Sequence, residues 1–466
     1  MTKSRKKIVY DSLGNEYLLT GKVGEGGQGM VCTTDRKDVL VKVINSDCKL
    51  KIEKAIKQIK WISTQNLSDL NIALPKIAVT RPKQGYVMEL MDGLISLQKV
   101  LDQSFIDLQE NESTEAYLKT GGVERRIKLL LEIASTLSDL HSRGYAYGDL
   151  SPENIFVSEN IAHSQAWFID CDNICFNERE GHAGFYTPSY GAPEIVKDQQ
   201  NVNCLTDAWS FAVIAFELLT HQHPFKGQYV DDGEPETVEQ QAYEGELPWV
   251  YDLEDLSNES IGGLPLDLVA NKNVIALFKQ CFEEGKRNPC KRPSLTQWRM
   301  VLQEAVDQII HCQNTVCHHQ FYYSSDNEEQ ICSFCDAVAN SNDFKVFEQV
   351  IKDEKGEFQL INNVRILNKG CSQNYNSAPY ATEFWSDTAT QLEVRWKDEK
   401  IHLKPANGAK VLIHKGEKSK EFERETALPL SNSSADNPYY LSAWNPSEIT
   451  SDEHLNLIQS YRWRFV

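Results

Sequence analysis

Asp149 and Asn154 stand five positions apart in the run Tyr147-Gly148-Asp149-Leu150-Ser151-Pro152-Glu153-Asn154. A carboxylate and a carboxamide held on one tight loop suit phosphoryl transfer. One accepts the hydrogen bond of a substrate hydroxyl, and the other offers an oxygen to a magnesium ion on nucleotide phosphates. Upstream, Gly24-Glu25-Gly26-Gly27-Gln28-Gly29-Met30-Val31 has the form G-x-G-x-x-G-x-V and leads into Val39-Leu40-Val41-Lys42-Val43. Glycines let backbone N–H groups close over phosphates, and a strand lysine neutralises the phosphate oxygens. The glycines alone would equally fit a hairpin turn; the lysine at this distance favours the phosphate reading. A dinucleotide-binding fold fails because its glycines open a helix, whereas these precede a β-rich run.

Such groups need two scaffolds, a strand-rich one for the glycines and a helical one for the loop, which follows a long amphipathic helix. With that division the chain resembles the protein kinase family over roughly residues 13 to 306, and further signatures fall in order. Gly85-Tyr86-Val87-Met88-Glu89-Leu90-Met91 looks like the last small-lobe strand entering the hinge, with Met88 as gatekeeper and the backbone of Glu89 and Met91 offered to adenine. Phe168-Ile169-Asp170-Cys171-Asp172 stands in place of the D-F-G segment, and Thr187-Pro188-Ser189-Tyr190-Gly191-Ala192-Pro193-Glu194 resembles the end of an activation segment. Asp207-Ala208-Trp209-Ser210 opens a helix that is apolar nearly all round from Phe211 to Leu219, as a core helix is. Lys291-Arg292-Pro293-Ser294 supplies, by the resemblance, the arginine of a buried ion pair with Glu194.

The resemblance implies an ATP- and Mg2+-dependent serine/threonine protein kinase. Gly24, Gly26, Gly29, Val31, Lys42, Met88, Glu89 and Met91 would contact ATP, and Lys42 would also pair with a helix-C glutamate. Glu53 is the best candidate for that glutamate, because the typical spacing lands near Trp61, where there is no acid; its bland alternative is a surface pair with Lys57. Asp149 would position the substrate hydroxyl and accept its proton, while Asn154 and Asp170 would hold magnesium. Thr187 matches the serine/threonine class.

Four positions depart from the family pattern. Tyr147 and Gly148 replace His-Arg, which removes the cationic pocket for a phosphorylated activation loop. Ser151 stands where a lysine is usual, and Asp172 replaces a glycine, either adding a carboxylate near magnesium or stiffening the loop. The Gly-Asp-Leu loop and the Ile-Asp-x-Asp segment are similar to a bacterial subfamily encoded beside a metal-dependent protein phosphatase and a von Willebrand factor A domain protein. That likeness implies these two as partners, in a stress-response module. Two rival classes are a pseudokinase, favoured by the lost His-Arg and glycine, and a scaffold acting through its C-terminal part. Retention of Lys42, Asp149, Asn154 and Asp170 together argues against both.

The chain has 466 residues and a net charge of −19, enough length for two or three cores and the wrong sign for a general nucleic-acid footprint. No apolar run is long enough to span a bilayer, and no apolar segment follows the basic N-terminus as in a secretory signal. The scattered cysteines suit a reducing, cytoplasmic setting. Cys312-x4-Cys317 and Cys332-x2-Cys335 differ: two close pairs across a turn-rich stretch predict a structural Zn2+ ribbon, with disulfides as the alternative and His311, His318 or His319 as substitute ligands.

Beyond the ribbon, Leu392, Val394 and Trp396 alternate with polar residues, and Ile401, Leu403, Val411 and Ile413 continue the pattern across turns. This predicts a small β-sandwich, faintly similar to a forkhead-associated phosphothreonine reader but without its phosphate-holding Arg and Ser-x-x-His. The expected fold is therefore α+β: a basic arm (1–14), a kinase small lobe (15–92) and large lobe (93–306), a zinc ribbon (307–338) and a β-rich interaction domain (339–466).

Overall fold

The computed structural model describes residues 7–26, 29–46, 48–89, 93–111, 113–177, 186–197, 200–340, 342–353, 355–375, 391–416, 418–433, 437–449 and 451–465. The chain divides into two compact units, Met1–Leu302 and Gln303–Val466.

The first unit begins with strands β1 (Lys7–Asp11), β2 (Glu16–Gly26), β3 (Gly29–Thr34), β4 (Val39–Ile44), β5 (Pro75–Arg81) and β6 (Gly85–Glu89), closed into a barrel in the order β1-β2-β3-β4-β6-β5. The run placed in a basic arm thus supplies a strand. Val9 and Asp11 alternate inward on β1, and Asp11 accepts hydrogen bonds from the Leu13 and Asn15 amides that make the turn to β2. The two-residue period of β4 sorts its side chains. Val41 and Val43 join Val9, Tyr17, Val79 and Val87 in one cluster, whereas Leu40 and Ile44 join Val31, Tyr86 and Met88 in another. Lys42 shares the second face. Helix α1 (Lys49–Ile62) covers that face with Ile52, Ala55, Ile56 and Ile59, an i, i+3, i+4, i+7 stripe.

The large lobe is helical. Its elements in chain order are β7 (Leu94–Ser96), α2 (Leu97–Asn111), α3 (Glu115–Lys119), α4 (Gly122–Ser142), β8 (Tyr145–Ala146), β9 (Ile155–Ser158), β10 (Ala166–Phe168), β11 (Cys175–Phe176), α5 (Pro193–Val196) and α6 (Cys204–Thr220), and further helices follow. Asn203 starts α6 with a capping box: its side chain accepts from the Leu205 and Thr206 amides, and Thr206 Oγ1 accepts from the Asn203 amide. The helix then buries Phe211 to Phe216 on every side, as its all-apolar sequence requires. Among the described residues no helix is long and apolar enough to cross a membrane.

In the second unit β12 (Ile309–His311) and β13 (Gln320–Tyr322) form a hairpin whose connection carries Cys312 and Cys317, with Cys332 and Cys335 following it. Ten strands follow: β14 (Phe344–Lys352), β15 (Phe358–Asn368), β16 (Ser372–Tyr375), β17 (Leu392–Lys397), β18 (Lys400–Pro405), β19 (Lys410–Lys415), β20 (Lys418–Phe422), β21 (Thr426–Pro429), β22 (Tyr439–Trp444) and β23 (Tyr461–Phe465). They make a six-stranded sheet, β15-β14-β23-β22-β19-β20, and a four-stranded one, β16-β17-β18-β21. The alternating residues Leu392, Val394, Trp396, Ile401, Leu403, Val411 and Ile413 all enter one core that also takes Phe347, Leu441 and Phe465. The charged turn between β17 and β18 is Asp398-Glu399, both at positive φ, a two-residue hairpin.

Candidate active site and cysteine cluster

The loop Tyr147–Asn154 is suspended from the start of α6. Asp207, buried there, accepts hydrogen bonds from the amides of Tyr147 (2.7 Å) and Gly148 (2.9 Å) and lies 2.9 Å from His141 Nε2. Gly148 has φ +93°, and a Cβ there would stand 2.9 Å from the Asn173 carbonyl oxygen, so the loss of arginine has a local cause. Tyr147, in place of histidine, is buried, packs its ring on Phe168 and donates its hydroxyl to the Ile169 carbonyl. The loop is therefore tied to the segment that carries Asp170.

Asp149 follows on this loop. Its Oδ1 lies 3.3 Å from Thr187 Oγ1 and its Oδ2 3.4 Å from Asn173 Nδ2. Burial, aided by the charge of Asp170, pushes its carboxyl up to about 6, against the opposing pull of the Thr187 hydrogen bond and Lys42. A carboxylate poised there can accept a proton near neutral pH. Asn154 Nδ2 donates to the Asp149 carbonyl (2.9 Å), and the Asn154 carbonyl accepts from the Ile169 amide (2.9 Å). The donor half of the Asn154 amide is spent on the loop, which leaves its oxygen for a cation.

Asp170 occupies the left-handed region, φ 57° and ψ 52°, a conformation that costs a non-glycine residue free energy and is held by its surroundings. It forms an ion pair with Lys42, whose Nζ is also 2.7 Å from Asp172 Oδ2. Burial works to strip the Lys42 proton, but Asp172 and then Asp170 hold its pKa well above the ordinary lysine value. Burial pushes Asp170 up; Lys42 opposes this and Asp172 adds to it.

The other residues expected to contact nucleotide lie, where described, on strands of the same barrel as Lys42. Gly24 and Gly26 lie on the last stretch of β2, paired with Val31 and Gly29. A Cβ at Gly29 would meet the Val43 carbonyl oxygen at 2.5 Å, so only glycine fits there. Met88 is fully buried opposite Leu40, and Glu89 ends β6 with its side chain exposed toward Lys76. Met91 lies outside the described residues.

Glu53 requires a correction. It is exposed on α1 and is not brought to Lys42, because the inward stripe of that helix is the apolar one described above. The ammonium takes Asp172 instead, a residue considered only for metal binding or loop stiffening. Asn173, which touches Asp149, and Asp207, which anchors the loop, were also missed as site residues. Asp207 lay within a quoted motif; for Asn173 no sequence signal pointed to Asp149. Arg292 and Glu194 do meet, in a bidentate pair with both N···O distances 2.7 Å.

In the second unit the Sγ atoms of Cys312, Cys317, Cys332 and Cys335 lie within 4.8 Å of one another. Cys312 and Cys335 are 3.7 Å apart, Cys317 and Cys332 3.8 Å. Four thiolates on one zinc at about 2.3 Å stand roughly 3.8 Å from each other, whereas a disulfide would bring two sulfurs to about 2 Å. The set therefore fits a tetrahedral soft-metal site. His319 is buried with its ring stacked on Phe334 at 4.0 Å, beside the cluster rather than in it.

Residues 17–305 match the protein kinase domain family. The chain is 28% identical over 230 residues to calcium-dependent protein kinase 5 of Plasmodium falciparum, covering 48% of this chain and 37% of that protein. It is 26% identical over 251 residues to the serine/threonine-protein kinase chk-2 of Caenorhabditis elegans, covering 51% of this chain and 49% of that one. The chain thus spans about half or less of the length of these curated relatives.

Proposed function

The chain belongs to the protein kinase family, and from that premise we propose that it transfers the γ-phosphoryl group of ATP to serine or threonine of a protein substrate. The observation that carries this reading is the meeting of Lys42, Asp149, Asn154 and Asp170 around one buried site, with the Asp149 carboxyl set at about 6. In this reading Lys42 orients the α- and β-phosphates, and the backbone at Gly24, Gly26 and Gly29 closes over them. Asp149, steered by Thr187 and Asn173, aligns the substrate hydroxyl and takes its proton. Asn154 and Asp170 would hold magnesium, which supplies neutralisation of phosphate charge. Their hard oxygens suit that ion, as does a site with three carboxylates, those of Asp149, Asp170 and Asp172, against one ammonium. Thr187 favours serine and threonine over tyrosine.

The four cysteines would hold a structural zinc ion, closed to substrate because every ligand position is protein sulfur. The likeness of the Gly-Asp-Leu and Ile-Asp-x-Asp segments to the bacterial subfamily extends the reading to a metal-dependent protein phosphatase and a von Willebrand factor A protein as partners. Phosphoamino-acid analysis after incubation with labelled ATP, magnesium and a mixed protein substrate tests the activity. Label should appear in phosphoserine or phosphothreonine, and the rate should rise with pH through about 6 as Asp149 loses its proton. Tight nucleotide binding without any transfer would instead make the chain a pseudokinase.

A further inference from the structure

We propose that Asp172 is the positioning residue for Lys42, so that the ammonium of the nucleotide site is aligned by the turn after Asp170 and not by helix α1. The inference rests on the nucleotide site assigned above and deepens it.

Lys42 is 1% exposed, and an ammonium so placed needs a fixed counter-charge. Helix α1 cannot provide one. Its only acid is Glu53, which is exposed, and the face it turns inward is Ile52, Ala55, Ile56 and Ile59. Asp172 can, because its Oδ2 lies 2.7 Å from Lys42 Nζ with the carboxylate side chain only 13% exposed. The second partner, Asp170, is the residue that a cation would claim. With Asp170 given to a metal, Asp172 would remain, among the described residues, as the carboxylate against the lysine.

The turn that carries Asp172 is well anchored. It is a single 3-10 turn, Cys171–Asn173, with Cys171 fully buried and the Ile174 amide donating to the Cys171 carbonyl at 3.1 Å. The next residue, Ile174, accepts from Gln58 Nε2 of α1 at 2.6 Å, and Asn173 reaches Asp149. One short segment thus touches the lysine, the metal-site aspartate and the base. Tyr86, the cross-strand partner of Lys42, shares its face. The Tyr86 hydroxyl and Asp172 Oδ1 are both buried, and neither has a hydrogen-bond partner. A glycine at 172 would remove the counter-charge of Lys42.

The test uses the full chain and three variants, Asp172→Asn, Asp172→Glu and Glu53→Gln. An acyl phosphate of ATP that acylates amines reports Lys42 directly, with the labelled position read by mass spectrometry at neutral pH. Kd for magnesium-ATP, and kcat and KM, are measured alongside. Asp172→Asn should spread the label from Lys42 to other lysines and reduce kcat at least tenfold, with a smaller change in Kd for magnesium-ATP. Asp172→Glu should restore part of both, and Glu53→Gln should stay within twofold of wild type. A merely structural role for Asp172 would change Kd and kcat together and would not be rescued by glutamate, and Asp172→Glu carries the test if the asparagine variant folds poorly. Label confined to Lys42 with kcat unchanged in Asp172→Asn, or a loss in Glu53→Gln as large as in Asp172→Asn, would overturn the assignment while leaving the nucleotide site intact. Failure of the wild-type chain to bind magnesium-ATP or to label at Lys42 would overturn the site and this inference together.

Discussion

Replacing Asp149 by asparagine should make the ligand-free protein more stable at neutral pH while removing the proposed base. The substitution keeps the size of the side chain and the neighbours Thr187 and Asn173, and deletes the charge. In the folded protein the carboxyl is pushed from 3.8 up to about 6 by burial and by Asp170. A displacement of roughly 2 in pKa, at about 1.4 kcal/mol each, means the native state disfavours this carboxylate by about 3 kcal/mol. The sign follows from proton binding. The folded chain holds the Asp149 proton more tightly than the unfolded chain, so stability is lost as pH rises from 3.8 to 6, and the cost is complete above 6. Asparagine does not titrate. At pH 7.5, without nucleotide or magnesium, Asp149→Asn should therefore exceed wild type by up to about 3 kcal/mol, and the gain should shrink toward zero near pH 4. Denaturant unfolding of both proteins at several pH values reads the difference. A variant no more stable than wild type at pH 7.5, or a gain independent of pH, would refute the placement of Asp149 in a desolvated, acid-flanked site.

Other perturbations follow from the same geometry. Gly148→Ala should cost about 1–3 kcal/mol, because the residue has φ +93° and the new methyl would press on the Asn173 carbonyl; a denaturant midpoint equal to wild type would contradict this. Arg292→Ala should cost about 3–5 kcal/mol by stranding Glu194 and by emptying the Gly285 and Leu205 carbonyls of their donor. Arg292→Lys should recover little of that loss, since lysine cannot make the bidentate pair; thermal unfolding distinguishes the two. Elemental analysis should find about one zinc per chain, and Cys312→Ser should lower it and speed proteolysis beyond residue 303 with less effect on phosphoryl transfer. Metal-free protein with unperturbed proteolysis would reject the cluster as a zinc site.

Much of the site was legible because the chemistry restricts both residue type and spacing. The glycine run with Lys42, the Asp149–Asn154 loop, Asp170 and the Arg292–Glu194 pair could each be read from short motifs, as could the cysteine pairs. The alternation of Leu392, Val394 and Trp396 foretold a buried strand face because period two leaves no other arrangement. What the sequence hid were contacts between segments far apart in the chain. Lys42 and Asp172 are 130 positions apart, and with no acid near Trp61, where the usual spacing lands, the helix-C role fell to Glu53. The apolar stripe Ile52, Ala55, Ile56, Ile59 was visible and already implied that α1 turns no charge inward. Gly148 likewise read as a missing arginine, whereas its backbone and the nearby Asn173 carbonyl leave no room for any side chain.

The account stands most directly on one paired measurement: magnesium-ATP binding and phosphoryl transfer to protein, in wild type and in Asp149→Asn. In the proposed mechanism Lys42 and the glycine loop act on the nucleotide in the ground state, whereas Asp149 acts on the substrate hydroxyl in the transition state. The variant should bind nucleotide within a fewfold of wild type and lose transfer by roughly 100-fold or more. Transfer by the variant at the wild-type rate, with binding intact in both, would contradict the assignment of Asp149 and the reading of this site as a kinase centre.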